Sequence, residues 1–521
     1  MNETVKPSKP WPTKKNHPAV VPKVVVAPYT STQFFLEDFP RTLFPLDTNK
    51  FLVEQGAAEL LAFANEIVAG NGSFLPQRRV FANKDALHSR RTVKLDPVAE
   101  FFLYNLIYEN RTHFRKPHTA RRQHFGYRFD NGHPIPPSRS YAEFKTEVWN
   151  GTFETEEFIA CDIAAYFNGV YHHDLHAWFG RIGASSSDVE AFGKFLREIN
   201  AGRSLDCLPQ GLYPAKMIGN DFLRFVEESS AIRAKKVVRF MDDIYLFDDN
   251  LGVLHADFAE VQRLLGLKGL SINGSKTQSG GTPATDKADD EISELKKRLL
   301  KRRRHLIVSR YDDEFDYQPE TLGKSNANEA ISEDEIQYVI SLLNDGKLSE
   351  EDAELILIVM RDNVDRIEPH LALFAHGFPH LAKNFYGLCG DAKDKEAIAT
   401  IVLGVASGGE YVGEYQLFWF GVMLEHYLID TSLAPDLINV LYRHHNATDI
   451  SKAKILEIPD LRYGLPEMRE AFLREGRSDW LSWASAVGSR GMKKSARNYL
   501  LEYFKNGSAM NKLIAEIIQK N

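Results

Sequence analysis

Three aspartates lie within two strongly apolar segments of this 521-residue chain. Asp162 lies at the centre of an apolar strand pattern over residues 158–167, where a carboxylate is costly to bury unless it binds a cation or is otherwise paired. Asp242 and Asp243 lie between two β-rich runs, which predicts a tight β-hairpin with both acids at its tip. An ordinary turn is the competing interpretation, but adjacent carboxylates repel each other and Asp-Gly or Asn-Gly would turn more easily.

These acids suit one particular chemistry if the two segments meet in the fold. Asp162 and Asp242 can then hold two Mg²⁺ ions about 3.5–4 Å apart, an arrangement that stabilises both the attacking and the leaving oxygen of a phosphoryl transfer. Carboxylate oxygens are also the ligands that Mg²⁺ requires. The spacing therefore predicts a two-metal site.

Two further segments carry groups that suit a nucleotide. Leu208-Pro209-Gln210-Gly211 leads into a predicted helix from about Ala215; its glycine allows the backbone to approach a nucleotide, and its glutamine can hydrogen-bond one. Residues 269–277 contain Lys276, which can reach a leaving pyrophosphate. A histidine cluster at residues 171–176 is a candidate metal site, but structural roles for it are favoured.

Charge is distributed unevenly along the chain. The formal net charge is −7, yet residues 76–128 hold twelve Lys or Arg against four acids, an excess of +8. Local charge decides phosphate binding, and the interleaved Phe114, Phe125, Tyr127 and Phe129 can stack on bases. A solvated surface explains the same charges equally well. A second basic run, residues 296–304, is predicted to decorate an exposed helix.

The order and spacing of these segments resemble the reverse-transcriptase palm over roughly residues 80 to 280. Asp162 matches motif A, Pro209-Gln210-Gly211 matches motif B, Phe240-Met241-Asp242-Asp243 matches motif C, and Lys276 matches the motif D lysine. The resemblance implies a Mg²⁺-dependent DNA polymerase with two ions. It also implies a metal site made of Asp162, Ile163, Asp242 and Asp243.

The resemblance extends to the incoming nucleotide. Phe167, five positions after Asp162, matches the aromatic steric gate that selects dNTPs over NTPs; a core phenylalanine or a role for Tyr166 are the alternatives. Gln210 and Gly211 are expected to contact the dNTP as well.

A fingers-like segment lies upstream of the palm motifs. Residues 89–93 are similar to the segment whose basic residue holds the triphosphate, which points to Arg91, with Arg90 or Lys94 as alternatives. One position departs from the family pattern: Ala215 stands where motif B usually has a serine, which puts the details of template handling in doubt.

The predicted fold class is α+β: fingers and palm followed by an all-α helical-repeat (HEAT-like) domain. We expect an N-terminal extension and fingers in residues 1–150, the palm in 151–285, a basic helix and linker in 286–330, and the helical domain in 331–521. The first ~25 residues are Pro-rich and predicted to be extended. Amphipathic periodicity predicts helices at residues 48–69, 98–110, 333–343, 349–362, 395–405, 415–429, 433–444, 466–474 and 479–487.

A palm joined to a helical tail resembles the bacterial abortive-infection (Abi) and related defence-associated reverse transcriptases. The tail is similar at residues 464–469 and 479–484. The resemblance implies antiphage defence and a homo-oligomer, a trimer or hexamer. It also implies DNA made either without a template or from a dedicated non-coding RNA, and DNA covalently attached where a protein hydroxyl primes it. Tyr29 is one candidate for that hydroxyl.

Composition indicates the cellular location, and two functions other than DNA synthesis are considered as alternatives. Three distant cysteines, no signal peptide and no long apolar span indicate a reducing, cytoplasmic environment and no membrane. An RNA polymerase of the viral type shares the palm logic. A catalytically degenerate polymerase that serves as a nucleic-acid or protein scaffold is the other alternative.

Overall fold

The structure is a computed structural model that describes residues 29–114, 119–280, 296, 298–300, 331–345 and 348–520. The Pro-rich start of the chain, most of the basic run at 296–304 and the predicted linker lie outside the described residues. Within those described ranges, no helix is both long enough and apolar enough to cross a membrane.

The first 280 residues combine helices with short strands. In chain order, the elements are α1 Ser31–Asp38, α2 Asp47–Val68, β1 Arg78–Asn83, β2 Ser89–Lys94, α3 Pro97–Glu109, β3 Arg122–Phe125, β4 Phe129–Asp130, β5 His133–Pro134, α4 Pro137–Glu154, β6 Glu157–Cys161, α5 Tyr166–Gly169, α6 His172–Arg181, α7 Ser186–Ile199, α8 Tyr213–Phe222, α9 Arg224–Glu227, β7 Lys236–Phe240, β8 Asp243–Asp248, α10 Leu251–Gly266 and β9 Gln278–Gly280. The helices predicted at 48–69 and 98–110 correspond to α2 and α3. Helix α4 begins inside the Pro-rich segment 133–140, because proline is well tolerated in the first turn of a helix.

A five-stranded mixed sheet lies at the centre of this part, in the order β3-β7-β8-β6-β9. Strand β3 runs parallel to β7, and the remaining neighbours are antiparallel. The predicted hairpin is confirmed as β7 and β8, which pair from Phe240 with Asp243 outwards. The predicted strand over 158–167 is too long: β6 ends at Cys161, because Ala165 has a φ of 48° that breaks the extended backbone.

Helix α4 covers one face of this sheet. Its buried side chains Phe144 and Val148 form a small cluster with Phe158, Val238 and Phe247 of the strands. Gly151 is required there, since a Cβ at this position would lie 2.8 Å from the Phe247 ring. The alternating residues of the same strands point to the opposite face and join the main core.

The region from residue 331 onward is all-helical where it is described. Its helices are α11 Glu333–Asn344, α12 Glu350–Val359, α13 Leu371–Gly377, α14 Ala382–Gly390, α15 Lys395–Ser407, α16 Glu414–Met423, α17 Ala434–Arg443, α18 Asp449–Leu456, α19 Leu465–Glu475, α20 Trp480–Gly488, α21 Lys494–Phe504 and α22 Ala509–Lys520. All seven helices predicted here are present, and α13, α14, α18, α21 and α22 add to them. The α+β class, with a C-terminal all-helical region, is therefore confirmed.

The helical region packs directly against the N-terminal helices. One continuous hydrophobic core contains side chains from α1 to α3 together with side chains from α16, α18, α20 and α22. At Gly56 of α2 the contact is so close that a Cβ would lie 2.5 Å from Ile517.

Polar contacts reinforce this packing at the start of α2. The buried carboxylate of Glu457 accepts hydrogen bonds from the backbone amides of Asp47 (2.9 Å) and Thr48 (2.7 Å). A side chain from the far end of the chain thus caps this 22-residue helix.

Candidate active site

The turn of the β7–β8 hairpin consists of Met241 and Asp242. Met241 has a φ of 53°, whereas Asp242 does not have a positive φ, which matches the sign pattern of a type II′ turn. Glycine is the usual residue at that first position, so the methionine backbone is strained. Such strain persists only where the surrounding structure enforces it, and it concentrates at functional sites.

A buried arginine enforces this turn. Arg239 is fully buried, and its Nη1 donates to the carbonyl of Met241 at 2.8 Å. Its Nη2 donates to the carbonyl of Asn220 at 2.8 Å, and the Asn220 Oδ1 accepts from the amide of Met241 at 3.3 Å. Hydrogen bonds to Asn220 therefore connect the strained turn to helix α8.

Glu227 neutralises that arginine. Its two carboxylate oxygens accept from Arg239 Nε at 2.9 Å and Nη2 at 2.8 Å, and His124 Nδ1 lies 3.1 Å from Oε1. Burial opposes the charged form, but Arg239 and His124 outweigh it and lower the pKa of Glu227 to about 2. Sequence reasoning missed this network, although a charged residue inside the apolar run Val237-Val238-Arg239-Phe240 was a readable signal.

The fold brings the three predicted acids together at one end of the inner strands β6, β7 and β8. Cys161 of β6 pairs with Ile244 of β8, so Asp162 follows directly beside Asp243. Burial raises the pKa of Asp242 to about 6, and the charges of Asp162 and Asp243 add to the effect. Burial and the charge of Asp162 also raise the pKa of Asp243.

Lys276 and Asn273 hold Asp162 from the other side. Lys276 Nζ and Asn273 Nδ2 each lie 3.2 Å from Asp162 Oδ2. The Asn273 amide also donates to the Asp162 carbonyl at 2.7 Å, next to an isolated bridge between Ile163 and Ile272. That bridge uses the carbonyl of Asp162 and the amide of Ala164, so it leaves the Ile163 carbonyl available to a cation.

A compact three-ligand cluster lies elsewhere among the described residues. Asp47, Glu425 and His426 are the only such group in which all donor atoms lie within 4.8 Å of one another, so the hairpin acids are more widely spaced than this. The buried ammonium of Lys454 already lies 2.5 Å from Glu425 and 3.7 Å from Asp47. We therefore regard the cluster as a structural ion pair. The hairpin acids remain the better fit to Mg²⁺, because they offer oxygen donors only.

The residues predicted to meet the sugar lie beside helix α8. Phe167 is buried in α5, and a Cβ at Gly219 would lie 3.3 Å from its ring and from that of Tyr166. The Tyr166 hydroxyl donates to the Gly219 carbonyl at 2.6 Å. The structure thus places Phe167 in the core in this state, and a role as a steric gate stays a prediction.

The Gln210-Gly211 loop contacts the β1–β2 hairpin. The carbonyl of Gln210 accepts from Thr92 Oγ1 at 2.8 Å. Gly211 has a φ of 108°, which only glycine adopts without strain, and it lies against Leu43. Ala215, which replaces the usual serine, is fully buried in α8.

Arg91, the first candidate for the triphosphate, contacts α5, because Asn168 Nδ2 donates to its carbonyl at 3.4 Å. Its Nε is 3.3 Å from Asp206 Oδ2, and Asn168 of α5 donates to the other oxygen of Asp206 at 2.7 Å. Arg90 is exposed on β2. Lys94 is buried, and its Nζ lies 2.7 Å from Glu100, so its charge is already compensated.

The prediction that four aromatic residues near the basic segment stack on bases is wrong. Phe114 and Phe125 are buried, and Tyr127 and Phe129 are partly buried against Tyr213 and Phe34, so these rings belong to the core and are not free to stack on bases.

Tyr29, the candidate for the priming hydroxyl, is half-buried. Its ring packs on His133 at 4.6 Å, and its hydroxyl donates to Glu37 at 2.7 Å. Burial and Glu37 raise the pKa of Tyr29, which disfavours it as a nucleophile. In the histidine cluster, His172 is buried and packs against His173 at 3.9 Å, consistent with the structural interpretation.

No protein-family model matches this chain, and no curated protein matches it. The interpretation of the site therefore depends on its geometry.

Proposed function

We propose that this chain is a Mg²⁺-dependent DNA polymerase of the reverse-transcriptase type, with fingers and palm in its first 285 residues and a helical-repeat tail. One observation carries the proposal. A strained two-residue turn holds Asp242 and Asp243 next to Asp162, which directly follows strand β6. The carboxylate of Asp162 lies 3.2 Å from Lys276. A turn with no function would take glycine at the Met241 position.

The residues of the site divide the work. Asp162, Asp242, Asp243 and the Ile163 carbonyl would hold two Mg²⁺ ions, which when bound stabilise the charge that develops on the attacking and leaving oxygens. Lys276, which lies 3.2 Å from Asp162, would meet a leaving pyrophosphate. Arg91 would contact the triphosphate of a dNTP.

The biological setting is proposed from the resemblance to the abortive-infection reverse transcriptases. It comprises antiphage defence, a homo-oligomer, and synthesis that is either untemplated or templated by a non-coding RNA. Because Tyr29 is engaged with Glu37, covalent attachment of the DNA would need a different hydroxyl.

Purified full-length protein supplied with dNTPs and Mg²⁺ tests the activity. We expect DNA synthesis that stops with a chelator and is undetectable in the double variant Asp242→Asn, Asp243→Asn, which preserves side-chain shape and removes the charge. The matched control is Asp249→Asn, an exposed acid one residue beyond the end of β8, paired with Lys235. Synthesis that persists in the double variant refutes the assignment. Phage protection that survives in it would favour the scaffold alternative.

A further inference from the structure

Helix α4 carries a row of exposed aromatic side chains. Tyr141, Trp149 and Phe153 are 44%, 51% and 72% exposed, large fractions for residues of this kind. Together with Lys145 they recur every fourth residue, so they share one face of the helix and follow each other at about 6 Å along its axis. We call these four residues the α4 stripe.

The rest of the helix fixes the direction in which the α4 stripe points. Phe144, Val148 and Gly151 pack against the sheet on the neighbouring face of the helix, where Phe247 leaves no space for a shift. Within the stripe, the Trp149 and Phe153 rings meet edge to face with centroids 4.9 Å apart. The aromatic face is therefore held outward by a well-packed core.

The α4 stripe begins beside the acidic hairpin. Tyr141 contacts the ring of Phe240, the residue immediately before the turn, with centroids 5.2 Å apart. Side chains alternate along a strand, and Ala160 and Tyr245 face α4. Two residues further along their strands, Asp162 and Asp243 project from that same face of the sheet. The stripe thus leads away from the acids along one surface.

Charge on α4 favours a polyanion. Its carboxylates are all paired with bases: Glu143 lies 3.1 Å from Arg139, and Lys236 lies 2.9 Å from Glu147 and 3.2 Å from Glu154. Lys145 forms no ion pair at 4 Å or less within the described ranges, although its charge acts to lower the pKa of Asp243, and its Nζ lies 5.5 Å from the centre of the Tyr141 ring. Rings with a cation between them, and no uncompensated carboxylate, suit bases joined by phosphates.

We propose that the α4 stripe is a stacking track for a single nucleic-acid strand whose end lies at the three aspartates. This assignment rests on the proposed function for the direction of the strand. Each base has a π-face, so the rings bind a strand with little regard to sequence, while Lys145 meets its backbone. A second copy of this chain is the other occupant that exposed aromatics can accept, and the experiment below separates the two.

Fluorescence anisotropy of a 5′-labelled oligo(dT) strand of about 20 nucleotides, titrated with full-length protein, tests the track. Stacking on one aromatic is worth about 1–3 kcal/mol per base, so we expect Trp149→Ala with Phe153→Ala to weaken binding by about tenfold or more. The matched control is Tyr499→Ala with Tyr503→Ala, an exposed pair with the same four-residue spacing on α21 and rings 5.3 Å apart. Lys145→Ala should reduce the slope of log K against log salt by about 0.7, the value for one phosphate on a single strand.

The outcomes separate the two proposals. A Trp149, Phe153 double variant that binds oligo(dT) as wild type does overturns the track, even if wild-type protein synthesises DNA. If sedimentation shows that the double variant changes its oligomeric state while its oligo(dT) binding is unchanged, the track is also overturned. The stripe would then be assigned to contact with a second copy of the chain. If the wild type makes no DNA and the double variant still loses oligo(dT) binding, the polymerase proposal is refuted and the stripe remains a strand-binding surface.

Discussion

Replacing Glu227 with glutamine should release the strained turn that holds Asp242. The carboxylate of Glu227 makes two hydrogen bonds to Arg239 and contacts His124, and all three side chains are buried. Glutamine keeps the size of the side chain but leaves the guanidinium as an uncompensated buried charge. Because Arg239 also holds the Met241 carbonyl, the turn and the pair should weaken together.

The pKa of Glu227 sets the size of the effect. A fall from the ordinary value of 4.5 to about 2, at about 1.4 kcal/mol per pKa unit, corresponds to a stabilisation on the order of 3 kcal/mol. Removal of one partner from a buried ion pair costs about 3–5 kcal/mol in general. We therefore expect Glu227→Gln to lower the free energy of unfolding by about 3 kcal/mol.

The sign of the pH dependence follows from the lowered pKa. In the wild type the contribution of Glu227 is fully present above pH 4.5, and it is lost as the pH falls towards about 2. The stability difference between wild type and variant should stay constant from about pH 7 to pH 5 and shrink below that range.

Chemical unfolding, combined with hydrogen exchange of the peptides that cover β7 and β8, measures the effect. Glu260→Gln is the control, because Glu260 forms an exposed ion pair with Arg263 and such pairs contribute about 0–1 kcal/mol. If Glu227→Gln costs no more than this control, or if the hairpin amides keep their protection, Glu227 does not hold the turn through Arg239.

Three further predictions follow from the same structure. Phe167→Ala should raise NTP incorporation relative to dNTP incorporation, and unchanged selectivity would leave Phe167 as a core residue. Lys276→Ala should lower kcat by about 10²-fold or more, the size of a lost general acid, and leave oligo(dT) binding intact. Glu457→Gln should cost more than the about 1–2 kcal/mol of a lost cap, because Glu457 also lies 2.8 Å from the buried ammonium of Lys454. Faster hydrogen exchange in the first turn of α2 is the expected signature of the lost cap.

Local patterns in the sequence were sufficient for the hairpin and for seven of the twelve helices described from residue 331 onward. The hairpin was predictable because its two apolar runs leave only a short acidic turn between them. The tail helices were predictable because each has its own amphipathic period. Contacts between distant residues were not predictable in this way. No pattern near Asp47 indicates that Glu457 caps its helix, because the two are 410 positions apart.

The aromatic residues also show what local sequence patterns cannot predict, even for residues close together in the chain. Composition suggested that rings near basic residues stack on bases, but it selected Phe125 and Tyr127, which the fold buries or half-buries. In α4 both faces are aromatic: Phe144 turns inward, whereas Trp149 turns outward. Hydrophobicity alone cannot assign which face meets the sheet, since either would form an apolar stripe.

The acids are positioned by two separate braces, and this explains how like charges can be held together before a cation arrives. Asp162 is fixed by Lys276 and Asn273 from a segment that follows α10. Asp242 is fixed through the backbone of its turn, by Arg239 from within the core. Burial raises the pKa of Asp242, and the charges of Asp162 and Asp243 add to the effect because neither brace neutralises the whole cluster. That residual repulsion is what a divalent cation would relieve on binding.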